Sequence, residues 1–154
     1  VLGAGSGDDR FSNFDRAVVA WDSEGSKLVA SWGAPVVEVF DIEGSPLFDG
    51  DTAQPHAIFD RLLAMIGRVA SRITNPIAVT GHLATRDIGA GRPDPWTLST
   101  NRAQLTRERL EAAGVADARI ARVTGKADRD PVAETGDDSR NRRIEITLLR
   151  RFKP

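Results

Sequence analysis

Hydrophobic positions along this chain switch between two periods. Ile58, Leu62, Ile66, Val69 and Ile73 step by three or four residues, the spacing of one helix face. Asn75-Pro76 closes that stretch, because a proline forces its predecessor out of the helical region. A second helix is predicted from Leu98 to Ala113, with Gly114 as its C-terminal cap. Around the helices the period drops to two. Ile77-Ala78-Val79-Thr80 reads as a short strand running into Gly81-His82, and Arg119 to Thr124 as another. From Arg142 to Leu149, Ile144, Ile146 and Leu148 alternate with Arg143, Glu145 and Thr147, which predicts a last strand. Pro35 to Phe48 predicts a hairpin, with turn chemistry in Glu43-Gly44-Ser45-Pro46.

Upstream, Phe11, Phe14, Val18, Val19 and Trp21 recur at near-helical spacing, and Asp22-Ser23-Glu24-Gly25-Ser26 breaks the pattern before Leu28, Val29 and Trp32. These residues predict one helix or two short ones. The organisation expected is a flexible lead-in over 1–9, a helical arm over 10–34, a domain over 35–151 and a tail over 152–154. Within the domain the order β-α-β-α-β-β argues for an α+β fold, a two-layer sandwich with helices on one face of a mixed sheet. Two segments, Leu83–Pro95 and Gly125–Asp138, are rich in Gly, Pro and charged residues and are expected as loops.

Composition changes this picture little. At 154 residues and 40% hydrophobic, the chain is long enough for one domain with a core and an appendage. The net charge of −1 argues against nucleic acid as a partner, but the charge is uneven. Residues 1–71 carry 5 basic against 11 acidic side chains, and residues 72–154 carry 16 against 11. A basic second half suits an anionic ligand, or two solvated faces. With no cysteine there is no disulfide framework, thiolate metal site or cysteine nucleophile, and two histidines make a His-rich metal site unexpected. No cofactor is expected either: Gly89-Ala90-Gly91 lacks the Gly-Lys-Ser/Thr ending of a phosphate cradle. No apolar stretch approaches the roughly 20 residues that span a bilayer.

Candidate chemistry gathers in two segments, Trp96-Thr97-Leu98-Ser99-Thr100-Asn101-Arg102-Ala103 and Ser139-Arg140-Asn141-Arg142-Arg143-Ile144-Glu145-Ile146. The first puts Arg102 near the first turn of a helix, where free N–H groups and partial positive charge attract carboxylates. A guanidinium there can grip a carboxylate through two parallel hydrogen bonds. Alternatively, Ser99 caps the helix and Arg102 pairs with a nearby acid. Ser99 and His82 supply residue types of a catalytic triad, but no Gly-x-Ser-x-Gly elbow exposes a nucleophile, so no enzyme is expected.

Together with Gly81-His82, Leu47-Phe48 and Gly125-Lys126-Ala127-Asp128-Arg129-Asp130-Pro131, these segments resemble the OmpA-like peptidoglycan-binding domain. The resemblance covers roughly residues 36–150. Trp96 beside Leu98-Ser99 and the closing Asn141-Arg142-Arg143-Ile144 bring it nearest the version in the flagellar stator protein MotB. It implies non-covalent anchoring to the diaminopimelate stem peptide of peptidoglycan in the periplasm. It also implies an inner-membrane helix before Val1, a MotA-like channel subunit as partner, and a homodimer.

Carried over position by position, the resemblance puts the family's diaminopimelate-gripping arginine on Arg102, with Leu98, Ser99 and Thr85 around it. The closing arginines fall on Arg142 and Arg143; strand alternation sends them to opposite faces, and Arg142 is favoured for the groove. Asp49 matches an acidic residue sometimes found after the first strand region. Two positions depart from the family. Its Gly-His-Thr-Asp is Gly81-His82-Leu83-Ala84 here, and the asparagine next to its tryptophan is Pro95. An aspartate at 84 would accept hydrogen bonds from the ligand's amino group, and losing such a bond costs about 1.5–3 kcal/mol. Asp87 and Asp94 in the following loop are candidates to compensate. If nothing compensates, the expected role becomes an envelope assembly or interaction module on the same fold. A lipoprotein or outer-membrane tether of the same superfamily is a further, less favoured reading.

Overall fold

A computed structural model describes residues 36–41 and 46–149 in full, and the backbone of 17–21 and 28–30. Its centre is a mixed sheet in the order β2-β1-β3-β6-β4-β5, built from β1 (Ala17–Trp21), β2 (Leu28–Ala30), β3 (Val36–Phe40), β4 (Ile77–His82), β5 (Ile120–Gly125) and β6 (Arg143–Leu148). Strand β6 pairs antiparallel with both β3 and β4, while β4–β5 and β1–β3 run parallel. Helices α1 (Ala57–Ala70) and α2 (Pro95–Ala112) supply the second layer. The fold is therefore the expected α+β sandwich.

Alternation along the strands explains the layering. Val37, Val39, Ile77, Val79, Ile144 and Ile146 share one face of the sheet and are buried with Phe59, Leu62 and Leu63 of α1 and Ala103 and Leu110 of α2. Fully burying one such side chain stabilises by roughly 1.5–3 kcal/mol. The opposite pleat carries Glu38, Thr80, His82, Arg143 and Glu145, a polar set that is nonetheless mostly buried.

Two glycines let α2 lie directly on the sheet. Gly81 of β4 and Gly125 of β5 are register partners. A Cβ on Gly81 would collide with the Ser99 carbonyl, and one on Gly125 with the Thr100 backbone and the Ser99 side chain. Between the helices Gly67 plays the same part, where a Cβ would strike Ala113.

Two expectations need correction. In place of a helical arm, the chain forms strands at Ala17–Trp21 and Leu28–Ala30, paired antiparallel with Trp21 opposite Leu28. Val18-Val19 and Leu28-Val29 favour a pleated surface, and the Asp, Ser and Gly between them suit a turn, so pairing overrides the near-helical spacing. The remainder of the arm, with Phe11 and Phe14, and the lead-in and tail lie outside the described residues. Among the described residues, the hairpin expected over Pro35–Phe48 is also not formed as such. β3 pairs with β1 and β6 instead, and Phe48 makes only an isolated bridge to Pro55. The Asp41 carboxylate accepts from Leu47 N–H at 2.8 Å.

Candidate functional site

Four charged side chains converge at one end of the sheet, on its helix side. Asp41 follows β3 and Arg142 precedes β6; since Phe40 pairs with Arg143, the two become neighbours 101 positions apart in sequence. Asp87 sits on the loop after β4, whose last residue His82 also pairs with Arg143. Arg102 reaches the same place from α2.

Arg102 is only 6% exposed. Its Nε donates to the Thr52 carbonyl at 2.9 Å and its Nη2 to the Gly50 carbonyl at 2.8 Å. Its guanidinium lies 4.6 Å from the Phe48 ring centroid, a cation–π contact that anchors it further. The loop that presents those carbonyls is held by Asp49 N–H on Gln54, Thr52 N–H on Asp49, and Gly50 in the left-handed region at φ 50°. One edge of the fork is thus already committed to backbone. Among the described residues nothing bonds to Nη1, so donor capacity remains at the Nη1/Nη2 end of the guanidinium. Burial lowers its pKa, opposed chiefly by the charges of Asp87 and Asp41.

Arg142 bridges the two aspartates. Its Nη1 donates to Asp41 Oδ2 at 3.2 Å, while its Nε lies 3.1 Å from Asp87 Oδ2. The second approach is off the N–H direction and Nε has no hydrogen-bond acceptor, so it is a charge contact rather than a hydrogen bond. Burial raises the Asp41 pKa, and the Leu47 N–H and Arg142 offset part of that rise. Asp87, 6% exposed, accepts from Ala84 N–H at 2.8 Å.

The other expected site residues fall into two groups. Asp49 and Thr85 are exposed at the rim, where Thr85 N–H donates to the Gly136 carbonyl and ties the two loops together. Leu98 and Ser99 turn inward and present no surface to a ligand. Ser99 is fully buried; its Oγ donates to the Trp96 carbonyl at 3.2 Å and accepts from Ala127 N–H at 3.1 Å. It is not the helix cap either. Asp94 caps α2 by accepting from Thr97 N–H at 2.8 Å, and Pro95 opens the first turn, so the helix begins three residues earlier than expected. Asp94 is therefore spent as a cap, whereas Asp87 joins the cluster.

Arg143 goes to the opposite face, as alternation requires. Its Nη2 donates to Glu145 at 3.0 Å and to the Asp130 carbonyl at 2.9 Å, and its Nε lies 3.8 Å from Glu38. His82 lies beside it, with Nε2 3.5 Å from Glu145; burial lowers the His82 pKa and favours the neutral ring. Asn141 organises the loop between the faces. Its Oδ1 accepts from Val132 and Ala133 N–H and its Nδ2 donates to the Thr135 and Gly136 carbonyls. Sequence reasoning gave Asn141 and Asp41 no role, because both act through backbone groups or partners distant in sequence. Among the described residues no group of His, Asp or Glu is arranged to hold a metal, and no helix is long and apolar enough to cross a membrane.

Comparison with known proteins follows the same lines. The model of the OmpA family matches residues 47–145. Motility protein B of Escherichia coli K12 is 28% identical over 116 residues, which cover 73% of this chain and 38% of that protein. A putative flagellar export/assembly protein, LafU, of another E. coli strain is 31% identical over 114 residues, 73% of this chain and 37% of its own length. The chain thus spans under two fifths of the length of these two relatives. Among solved structures, the periplasmic domain of Helicobacter pylori MotB superposes with TM-score 0.61 at 17% identity, over 72% of this chain and 79% of that one. The cell wall anchor of the T6SS from Pseudomonas aeruginosa gives TM-score 0.61 at 32% identity, over 74% and 80%.

Proposed function

Because the chain belongs to the OmpA family, whose domains are binding modules rather than enzymes, we propose that it is a non-covalent peptidoglycan anchor working in the periplasm. The observation that carries this reading is the set of buried Arg102, Asp41 and Asp87 with part-exposed Arg142 at one end of the sheet. The second centre of diaminopimelate bears an ammonium and a carboxylate on one carbon. A site holding both signs of fixed charge suits it: Arg102 Nη1 faces the carboxylate and an aspartate the ammonium. The set is neutral as it stands, and a zwitterionic head leaves it neutral, whereas a lone charge would leave the excess unpaired in a mostly buried place.

The likeness to motility protein B supports a finer reading. The domain belongs to a stator subunit held in the inner membrane by a preceding helix, dimeric, paired with a MotA-like channel subunit, and lets that channel push against the wall. The likeness to the T6SS cell wall anchor supports the anchoring itself in a second kind of envelope machine.

Co-sedimentation with purified diaminopimelate-type sacculi tests the anchor. The parent chain is expected to pellet saturably. Arg102→Ala is expected to lose at least about tenfold in affinity, since a hydrogen bond to a charged group contributes about 1.5–3 kcal/mol. A folded parent that stays in the supernatant would leave the assembly-module reading in its place.

A further inference from the structure

We infer that Asp87 supplies the carboxylate that receives the ligand's ammonium, transposed by three residues from position 84, where Ala84 stands. The inference rests on the anchor reading above and deepens it.

The short turn Thr85–Asp87 folds back on its own start. Asp87 N–H donates to the Ala84 carbonyl at 3.0 Å, and Ala84 N–H donates to Asp87 Oδ2 at 2.8 Å. This reciprocal pair returns the Asp87 carboxylate to the backbone of residue 84, so a side chain rooted at 87 delivers its charge beside position 84. Ala84 itself is fully buried and has no polar group to offer. Thr85 and Arg86, the other residues of the turn, are exposed, while Asp87 is 6% exposed. An aspartate free to seek water has instead been turned inward.

What it meets inside is the site. Its Oδ2 lies 3.1 Å from Arg142 Nε, and it is the leading opposite charge acting on Arg102. Among the described residues its Oδ1 accepts no hydrogen bond. A carboxylate in a turn needs one oxygen to close that turn; here Oδ1 remains uncommitted, on a carboxylate that lies against Arg142 and acts by its charge on Arg102, the two guanidinium groups that would take the ligand's carboxylate. The ligand class that fits is an amino-acid head with ammonium and carboxylate on one carbon.

The transposition also reverses an intuitive repair. Restoring an aspartate at 84 would bury a second carboxylate against the first, and like charges so placed are unfavourable.

The test is calorimetric titration of the folded chain with a diaminopimelate-containing stem tripeptide, together with thermal melts. Asp87→Asn keeps an oxygen for Ala84 N–H and is expected to melt near the parent while binding at least about tenfold more weakly. Ala84→Asp alone is expected to melt lower and bind no tighter than the parent. The double variant Ala84→Asp/Asp87→Ala is expected to recover affinity to within a few-fold of the parent. A parent that binds and an Asp87→Asn that binds equally well would overturn the assignment alone. A double variant that melts like the parent but binds as weakly as Asp87→Asn would overturn it too. A folded parent that binds no tripeptide would overturn the anchor reading and this assignment with it.

Discussion

Arg142 and Arg143 are adjacent in sequence, and each ends among carboxylates, yet the two clusters differ in access. The Arg142 side chain keeps 24% of its surface and sits below exposed loops; the Arg143 side chain keeps 2%. Around Arg142 the charges are two arginines and two aspartates, with donor and acceptor capacity left on Arg102 Nη1 and Asp87 Oδ1. Around Arg143 lie Glu145, Glu38 and His82, with the Asp130 carbonyl of the 126–138 loop bonded to the guanidinium. A buried charge pair can hold a fold in register, or it can wait for a partner. Solvent access separates the two uses; uncommitted atoms alone do not, since Arg143 Nη1 is also without a hydrogen-bond acceptor.

Substitutions should break the comparison most sharply at Arg143. Arg143→Ala removes the guanidinium that faces Glu145 and Glu38 in a low-dielectric place, and breaking a buried pair in this way costs about 3–5 kcal/mol. The expected result is a large fall in the urea midpoint, with stem-peptide affinity per folded molecule unchanged. Arg142→Ala should do the reverse. Solvent reaches Asp41 and Asp87 through the opened site, so the stability loss is expected at about 1–2 kcal/mol, while titration should show at least a tenfold loss of affinity.

A smaller effect sharpens the sealed side through pH. Burial lowers the His82 pKa from its ordinary 6.5, with Glu145, Asp130 and Arg143 facing it. Between that lowered value and 6.5 the unfolded chain binds a proton that the folded chain refuses, so stability falls as pH drops below about 6.5. Urea titrations from pH 7 to 5.5 should show a steeper decline for the parent than for His82→Gln. The least effect is expected at Ala127, a non-glycine residue at φ 48° beside Ser99. Ala127→Gly relieves the left-handed strain but loosens the unfolded chain, and should stabilise by no more than about 1 kcal/mol in thermal melts.

Much of this architecture was legible in the sequence where a residue acts through its own neighbourhood. The strict alternation of Ile144, Ile146 and Leu148 set β6 and sent Arg142 and Arg143 to different faces. The steps through Ile58, Leu62 and Ile66 located α1, although the helix stops at Ala70, short of Ile73. Asp94-Pro95 was a legible start signal for α2 that the Leu-Ser motif obscured. The N-terminal strands escape the pattern because five aromatic and aliphatic positions fit a near-helical spacing by chance, while the pairing of β1 with β3 is a long-range fact. Asp41 and Asp87 illustrate the same limit at the site. Nothing local marks Asp41 as the partner of an arginine 101 residues away, or Asp87 as folding back on Ala84 rather than facing water. The motif located the arginines; only the fold brings the acids to them.

The most direct measurement is side-chain ¹⁵N NMR of the arginine Nε–H groups during titration with the diaminopimelate stem tripeptide. The expected result is saturable shifts at Arg102 and Arg142 with a common affinity, and a stationary Arg143 signal. Saturable binding that moves Arg143 and leaves Arg102 and Arg142 unmoved would contradict the assignment of the ligand to the helix side of the sheet.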